Sequence, residues 1–60
     1  MKKMFFKDLS LGQEFLTESN KHKVPNAFIK TDTNSSVMKF NKELGDFPFF
    51  PKKIVFVINN

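Results

Sequence analysis

Two carboxylates, Glu14 and Glu18, stand four residues apart, a spacing that brings both to one side of a strand or a helix, as a general acid/base pair needs. Such a pair works only where a cleft desolvates one member, and a chain of 60 residues has little concavity to offer. Lys21 and Lys23 follow closely enough to neutralise the acids instead, so surface charge is their expected role. His22 is the only histidine and lies between those two lysines, where neighbouring positive charge disfavours both a proton and a metal ion. No Ser or Thr occupies a nucleophile elbow, and Gly12 and Gly45 cannot build a phosphate-binding loop or a dinucleotide fingerprint. The chain has no cysteine, which removes thiolate zinc sites and disulfides. The expectation is a protein that is not an enzyme and uses no cofactor or metal.

Binding chemistry is better represented. Asp46-Phe47-Pro48-Phe49-Phe50-Pro51-Lys52-Lys53 concentrates aromatics, prolines and cations. Pro48, Pro51 and Lys53 satisfy a PxxPxK pattern, and that spacing biases a chain toward the extended helix that aromatic grooves recognise. The same prolines also terminate strands, and Phe47, Phe49 and Phe50 then tuck under an open barrel end. Rings that stay exposed would be a contact surface. A second group, Lys2, Lys3 and Lys7 around Phe5 and Phe6, together with Lys52 and Lys53, interleaves cations with rings as single-strand nucleic-acid binders do. Burial of Phe5 and Phe6 in the core would reduce that group to lysines making salt-sensitive phosphate contacts.

Composition sets the limits on both ideas. The formal charge is +4, all ten basic residues are Lys, and the nine Phe stand without Trp or Tyr. Base reading relies on the planar fork of Arg, so nucleic-acid contact here would be to phosphates. The basic balance also follows from AT-rich coding, which favours Lys, Phe and Asn, and then carries no function. Phe without a polar handle is satisfied by full burial, which makes a packed core the ordinary destination of the rings. A single domain over residues 1–60 is expected, with a marginal core that calls for close packing, self-association or a partner.

The elements that must position these residues read as short strands. Turn-forming residues at Ser19-Asn20-Lys21, Asp32-Thr33-Asn34-Ser35-Ser36 and Gly45-Asp46 leave segments of strand length between them. Phe6 to Phe15 is a lead-in with a turn or single helical turn near Phe5–Leu11, closed by Gly12. Gln13–Glu18 is a strand with Phe15 and Thr17 on one face and Glu14, Leu16 and Glu18 on the other. Ala27–Phe40 is the best hairpin, and Asn41–Leu44 has room for one helical turn. Ile54–Ile58 has the strongest β composition, with Ile54, Phe56 and Ile58 facing one way and Val55 and Val57 the other. Both faces are apolar, so this strand is either central and covered twice or an edge whose outer face meets a partner. The fold class predicted is all-β, or β-rich with one short helical turn, in a small curled antiparallel sheet or SH3-like barrel, with an α+β arrangement carrying one helix near Phe5–Leu11 as the alternative.

Phe6-Lys7-Asp8-Leu9-Ser10-Leu11-Gly12-Gln13-Glu14-Phe15, followed by Phe28-Ile29-Lys30-Thr31 and a β-rich tail, resembles the short uncharacterised β-proteins of tailed bacteriophages. The resemblance implies an accessory protein acting inside an infected bacterium, with no catalytic residues to carry over. Met1 to Phe6 starts like a secretion signal but meets Lys7 and Asp8, and no apolar run is long enough for a membrane span; a cytoplasmic location without membrane partners is expected. The function expected is binding and modulation of a host protein, with Phe47, Phe49, Phe50, Lys52, Lys53, Val55 and Val57 as contacts. The alternative is nucleic-acid binding through Lys2, Lys3, Phe5, Lys7, Lys52 and Lys53. A self-assembling homo-oligomeric subunit is the third.

Overall fold

The computed structural model describes residues 2–19 and 26–57. His22, Lys21, Lys23, Val24 and Ile58 lie outside the described residues. The chain is all-β. Its strands are β1 (Lys2–Phe5), β2 (Glu14–Leu16), β3 (Phe28–Asp32), β4 (Ser35–Met38), β5 (Phe47–Pro48) and β6 (Ile54–Val57), joined by 3-10 turns that include η1 (Phe6–Asp8) and η2 (Lys42–Leu44). They form one antiparallel, curled half-barrel sheet in the order β1-β6-β2-β3-β4-β5.

The hairpin expected over Ala27–Phe40 is β3 and β4, with Phe28 opposite Met38 and Ile29 opposite Val37. A register shift between Lys30 and Asp32 bulges the strand and adds to its curl. Both helical turns also form where turn chemistry and the lack of room for a longer helix place them. After η1, Gly12 takes φ of +87°, a left-handed conformation open to glycine without a Cβ penalty. Its N–H donates to the Lys30 carbonyl at 2.8 Å, and the Lys30 N–H returns a bond to the Gln13 carbonyl at 3.1 Å. The turn residue thereby sets the entry of β2 beside β3.

Two strands escape the sequence reading. Lys2–Phe5, to which the sequence assigned no element, is a strand, because lysines are tolerated, even favoured, on the edge of a sheet. Phe47–Pro48 pairs with Ser36 and Ser35 at the opposite edge, where a proline need not donate to the ladder. The addition of β1 changes the standing of β6. That strand is not an edge: it lies between β1 and β2. Met4 sits opposite Val55 and Phe15 opposite Val57. Val55 and Val57 therefore point into the core, which corrects their placement on an outward contact face. The outward positions are Ile54 and Phe56, across from Phe5 and Leu16.

The core is an aromatic cluster on the concave face. Phe6, Leu9, Phe15, Val55 and Val57 are buried together, and Met4, Phe28 and Phe49 pack against them. Phe15 is its centre: its ring meets Phe6 at 5.5 Å edge-on, Phe28 at 5.6 Å stacked and Phe49 at 5.3 Å edge-on. On β2 the expected alternation is overridden, for Phe15, Leu16 and Thr17 are all buried, as a central strand covered on both faces requires.

Two substitutions separate packing from backbone strain. Phe15→Ala should lower unfolding free energy by about 3–5 kcal/mol, read by urea titration, because it opens a cavity that three rings line. Gly12→Ala meets nothing within 4 Å, so its loss should be only about 1–2 kcal/mol, from the left-handed backbone alone.

Candidate docking surface

The Phe47–Lys53 segment is held at four backbone points. Phe47 pairs with Ser36, whose buried hydroxyl donates to the Phe47 carbonyl at 3.4 Å. The Phe49 N–H donates to the Asn34 carbonyl at 2.9 Å. The Pro51 carbonyl accepts from the Lys7 N–H at 2.9 Å, and the Lys53 carbonyl from the Phe6 N–H at 2.8 Å. Within the segment the Lys53 N–H donates to the Phe50 carbonyl at 3.0 Å, closing a four-residue turn with Pro51 at its second position, where the fixed φ of proline suits it. Pro48 is thus in a strand and Pro51 in a turn, so the two prolines do not share one extended helix.

These restraints sort the three rings. Phe49 turns inward, stacked on Phe6 at 5.1 Å and edge-on to Phe28 at 5.4 Å. Phe47 is half-buried, edge-on to Phe28 at 5.5 Å. Phe50 faces solvent with 84% of its surface exposed. It forms, with Asn34, Pro48, Phe49 and Pro51, an apolar recess of about 320 Å³. Lys52 and Lys53 are exposed beside it. Of the three candidate rings Phe50 is the most exposed, while Phe49 packs against the core and also lines the recess.

The residue that positions this surface is one the sequence reading passed over. Lys30 is only 5% exposed, yet its ammonium donates to the Phe6 carbonyl at 3.0 Å and the Leu9 carbonyl at 2.9 Å. The same Nζ lies 4.7 Å from the centroid of the Phe6 ring. A buried ammonium is costly unless its donors are met, and the turn at η1 supplies two acceptors, the Leu9 carbonyl and the Phe6 carbonyl, which also accepts from the Leu9 N–H. Lys30 thus pins η1 to the sheet, η1 fixes Phe6, and Phe6 carries Phe49 beneath Phe50. The period-two position of Lys30, two residues after the core-facing Phe28, was the available signal.

The second lysine group also comes together. Phe5 is opposite Ile54, and both remain partly exposed, Phe5 at 38%; Phe6 alone enters the core, contrary to the expectation for the pair. Lys3, Met4, Phe5, Asp8 and Ile54 line a shallow recess of about 290 Å³. Lys7 lies 6.0 Å over the Phe5 ring and 3.7 Å from the Asp8 carboxylate. Lys2 and Lys3 are exposed on β1, and the turn carrying Lys52 and Lys53 is bonded to the backbone of Phe6 and Lys7. The carboxylate pair does not act as a unit. Glu14 bonds Lys39 at 3.0 Å, while Glu18 is exposed beyond the end of β2.

Among the described residues no helix is long and apolar enough to cross a membrane. Comparison of the chain with protein-family models, with curated proteins and with solved structures returns no match.

Replacing Lys30 by Met keeps the aliphatic stem but removes the ammonium donor from the Leu9 carbonyl and one of the two donors of the Phe6 carbonyl. Lys30→Met should therefore destabilise the fold by about 1–3 kcal/mol in urea unfolding, and it should raise hydrogen exchange at Leu9, whose N–H bonds the Phe6 carbonyl within the same turn.

Proposed function

We propose that this chain is a small non-catalytic binding protein that docks a protein partner through the Phe50 recess, and that, following its resemblance to tailed-phage proteins, it modulates a protein of the host cell. The observation that carries the proposal is the division of labour between adjacent rings. Phe49 packs against the core, while Phe50 is held out on a turn fixed by hydrogen bonds to the Phe6 and Lys7 N–H groups and to the Asn34 carbonyl. A preformed apolar ring on a restrained backbone binds with little ordering cost, which is what an interface anchor needs. The lysines beside it favour a partner with acidic residues around an apolar contact.

Nucleic-acid binding is the second reading, supported by Lys3 and Lys7 beside the half-exposed Phe5 and by Lys52 and Lys53 on the turn bonded to Phe6 and Lys7, while Lys2 lies at the far end of β1. If it holds, affinity for single strands falls by about 0.7 log units per phosphate contact for each tenfold rise in salt, and replacing Lys52 and Lys53 with Gln weakens it. Against it, Phe5 is one ring where a stacking platform uses several.

Phe50→Ala distinguishes a docking ring from a structural one. Stability should stay within about 0.5 kcal/mol of the parent, as for exposed positions, while affinity for the partner drops by about 2 kcal/mol or more in calorimetry. Phe49→Ala should instead unfold the free protein more readily, by about 3–5 kcal/mol. Equal partner affinity for the parent and Phe50→Ala would remove the proposed contact.

A further inference from the structure

The first strand ends the sheet. Lys2–Phe5 pairs with β6 on one side, and among the described residues no other backbone group bonds to it. In an antiparallel ladder alternate residues turn both N–H and C=O away from the partner strand. Among the described residues, half of β1 therefore has backbone donors and acceptors with no backbone partner, a template for one more strand. Past the end of β1, on the side of β6, the chain is joined to the Phe47–Lys53 turn, for the Phe6 and Lys7 N–H groups donate to the Lys53 and Pro51 carbonyls beside Phe50.

We propose that the free edge of β1 is a strand-addition site for an acidic, extended segment of the protein partner, seated so that an apolar residue at one end of the segment reaches the Phe50 recess. The inference rests on the protein-docking function proposed above and names the form of the ligand. Charge selects the occupant. Lys2, Lys3 and Lys7 stand along the strand and its continuation, with Lys52 and Lys53 on the adjoining turn, and the nearest acid, Asp8, is already 3.7 Å from Lys7. A second copy of this chain would bring four β1 lysines onto one ladder with no carboxylate in either strand, which is repulsive. A nucleic-acid strand would answer the lysines but not the edge, since phosphates supply acceptors only and leave the outward carbonyls of β1 without donors. An acidic peptide answers both, with carboxylates for the lysines and alternating N–H and C=O groups for the ladder.

The test uses the full chain, isotopically labelled, with a blocked peptide alternating Glu and Val that spans β1 and the recess, and a thymidine oligonucleotide of equal charge. The expected result is peptide binding that protects alternate β1 amides from hydrogen exchange. It should weaken roughly tenfold or more in the exposed double variant Lys2→Glu, Lys3→Glu, which keeps the spectrum of the folded protein, as expected when opposed charges are reversed. Peptide binding without protection at β1, or perturbation confined to Phe50, overturns strand addition while leaving the docking function standing. Protected β1 amides together with unchanged affinity in Phe50→Ala supports the edge site and removes Phe50 from it. Oligonucleotide binding in preference to peptide overturns both. Absence of peptide binding, or protection of β1 by concentration-dependent pairing of the free protein, overturns the acidic-strand proposal.

Discussion

A buried ammonium organises this small fold. Lys30 projects from the concave side of β3 into the core and is met by the carbonyls of Phe6 and Leu9 and by the face of the Phe6 ring. Taking a cation out of water is costly, and the cost is offset only when directed acceptors replace the hydration shell. Lysine has three donors on a rotatable head, so one side chain can gather two carbonyls of a turn and still lie over a ring. What results is a clasp: the turn between β1 and β2 is tied to a strand more than twenty residues away in sequence, and the Phe6 ring is carried into the cluster with it. Bonds of this kind to charged donors are stronger than neutral ones. In a core of a few rings they also give a unique arrangement, where apolar contacts alone leave several packings of similar energy.

From that clasp the aromatic content is sorted. Phe6, Phe15, Phe28 and Phe49 meet in edge-on and stacked pairs with centroids 5.1 to 5.6 Å apart, distances at which ring quadrupoles add to simple burial. Phe40 and Phe50 are left largely outside, at 70% and 84% exposure, but in different settings. Phe40 is covered on one face by its neighbour Lys39, 5.1 Å from the ring centroid. Phe50 sits over an apolar recess between two prolines. An exposed ring with apolar surroundings on a restrained turn is a stronger candidate for recognition than one flanked by a cation and polar loop residues.

The half-barrel leaves its two edges in unlike states. At one edge β5 is two residues long and contains a proline, which blunts it as a template. At the other, β1 offers four residues whose lysines resist pairing with their own kind. β5 runs directly into the Phe47–Lys53 turn, and β1 is joined to it past its end, on the side of β6, by the bonds from Phe6 and Lys7 to Lys53 and Pro51. The exposed Phe50 ring and the lysines of β1 and of the Phe47–Lys53 turn therefore lie around one feature of the fold.

Residue chemistry by itself determined the all-β class, the β3–β4 hairpin, the strand at Ile54 and the two short turns, because each depends on local information: β-branched and aromatic runs, turn residues between them, and glycine where the backbone becomes left-handed. It also marked the Phe47–Lys53 stretch and the lysines of the first strand as the surface worth testing. Tertiary structure decided what local pattern leaves degenerate. Val55 and Val57 went inward and Ile54 and Phe56 outward because the ladder with Met4 and Phe15 fixed the register, a choice that a strand apolar on both faces cannot announce. Phe49 and Phe50 are the same residue type side by side, and only the bonds to Asn34, Phe6 and Lys7 turned one into core and the other into surface. Lys30 reads as solvent-facing in any count of polarity, and its burial depends on two carbonyls that the folded chain alone brings within 3.0 Å.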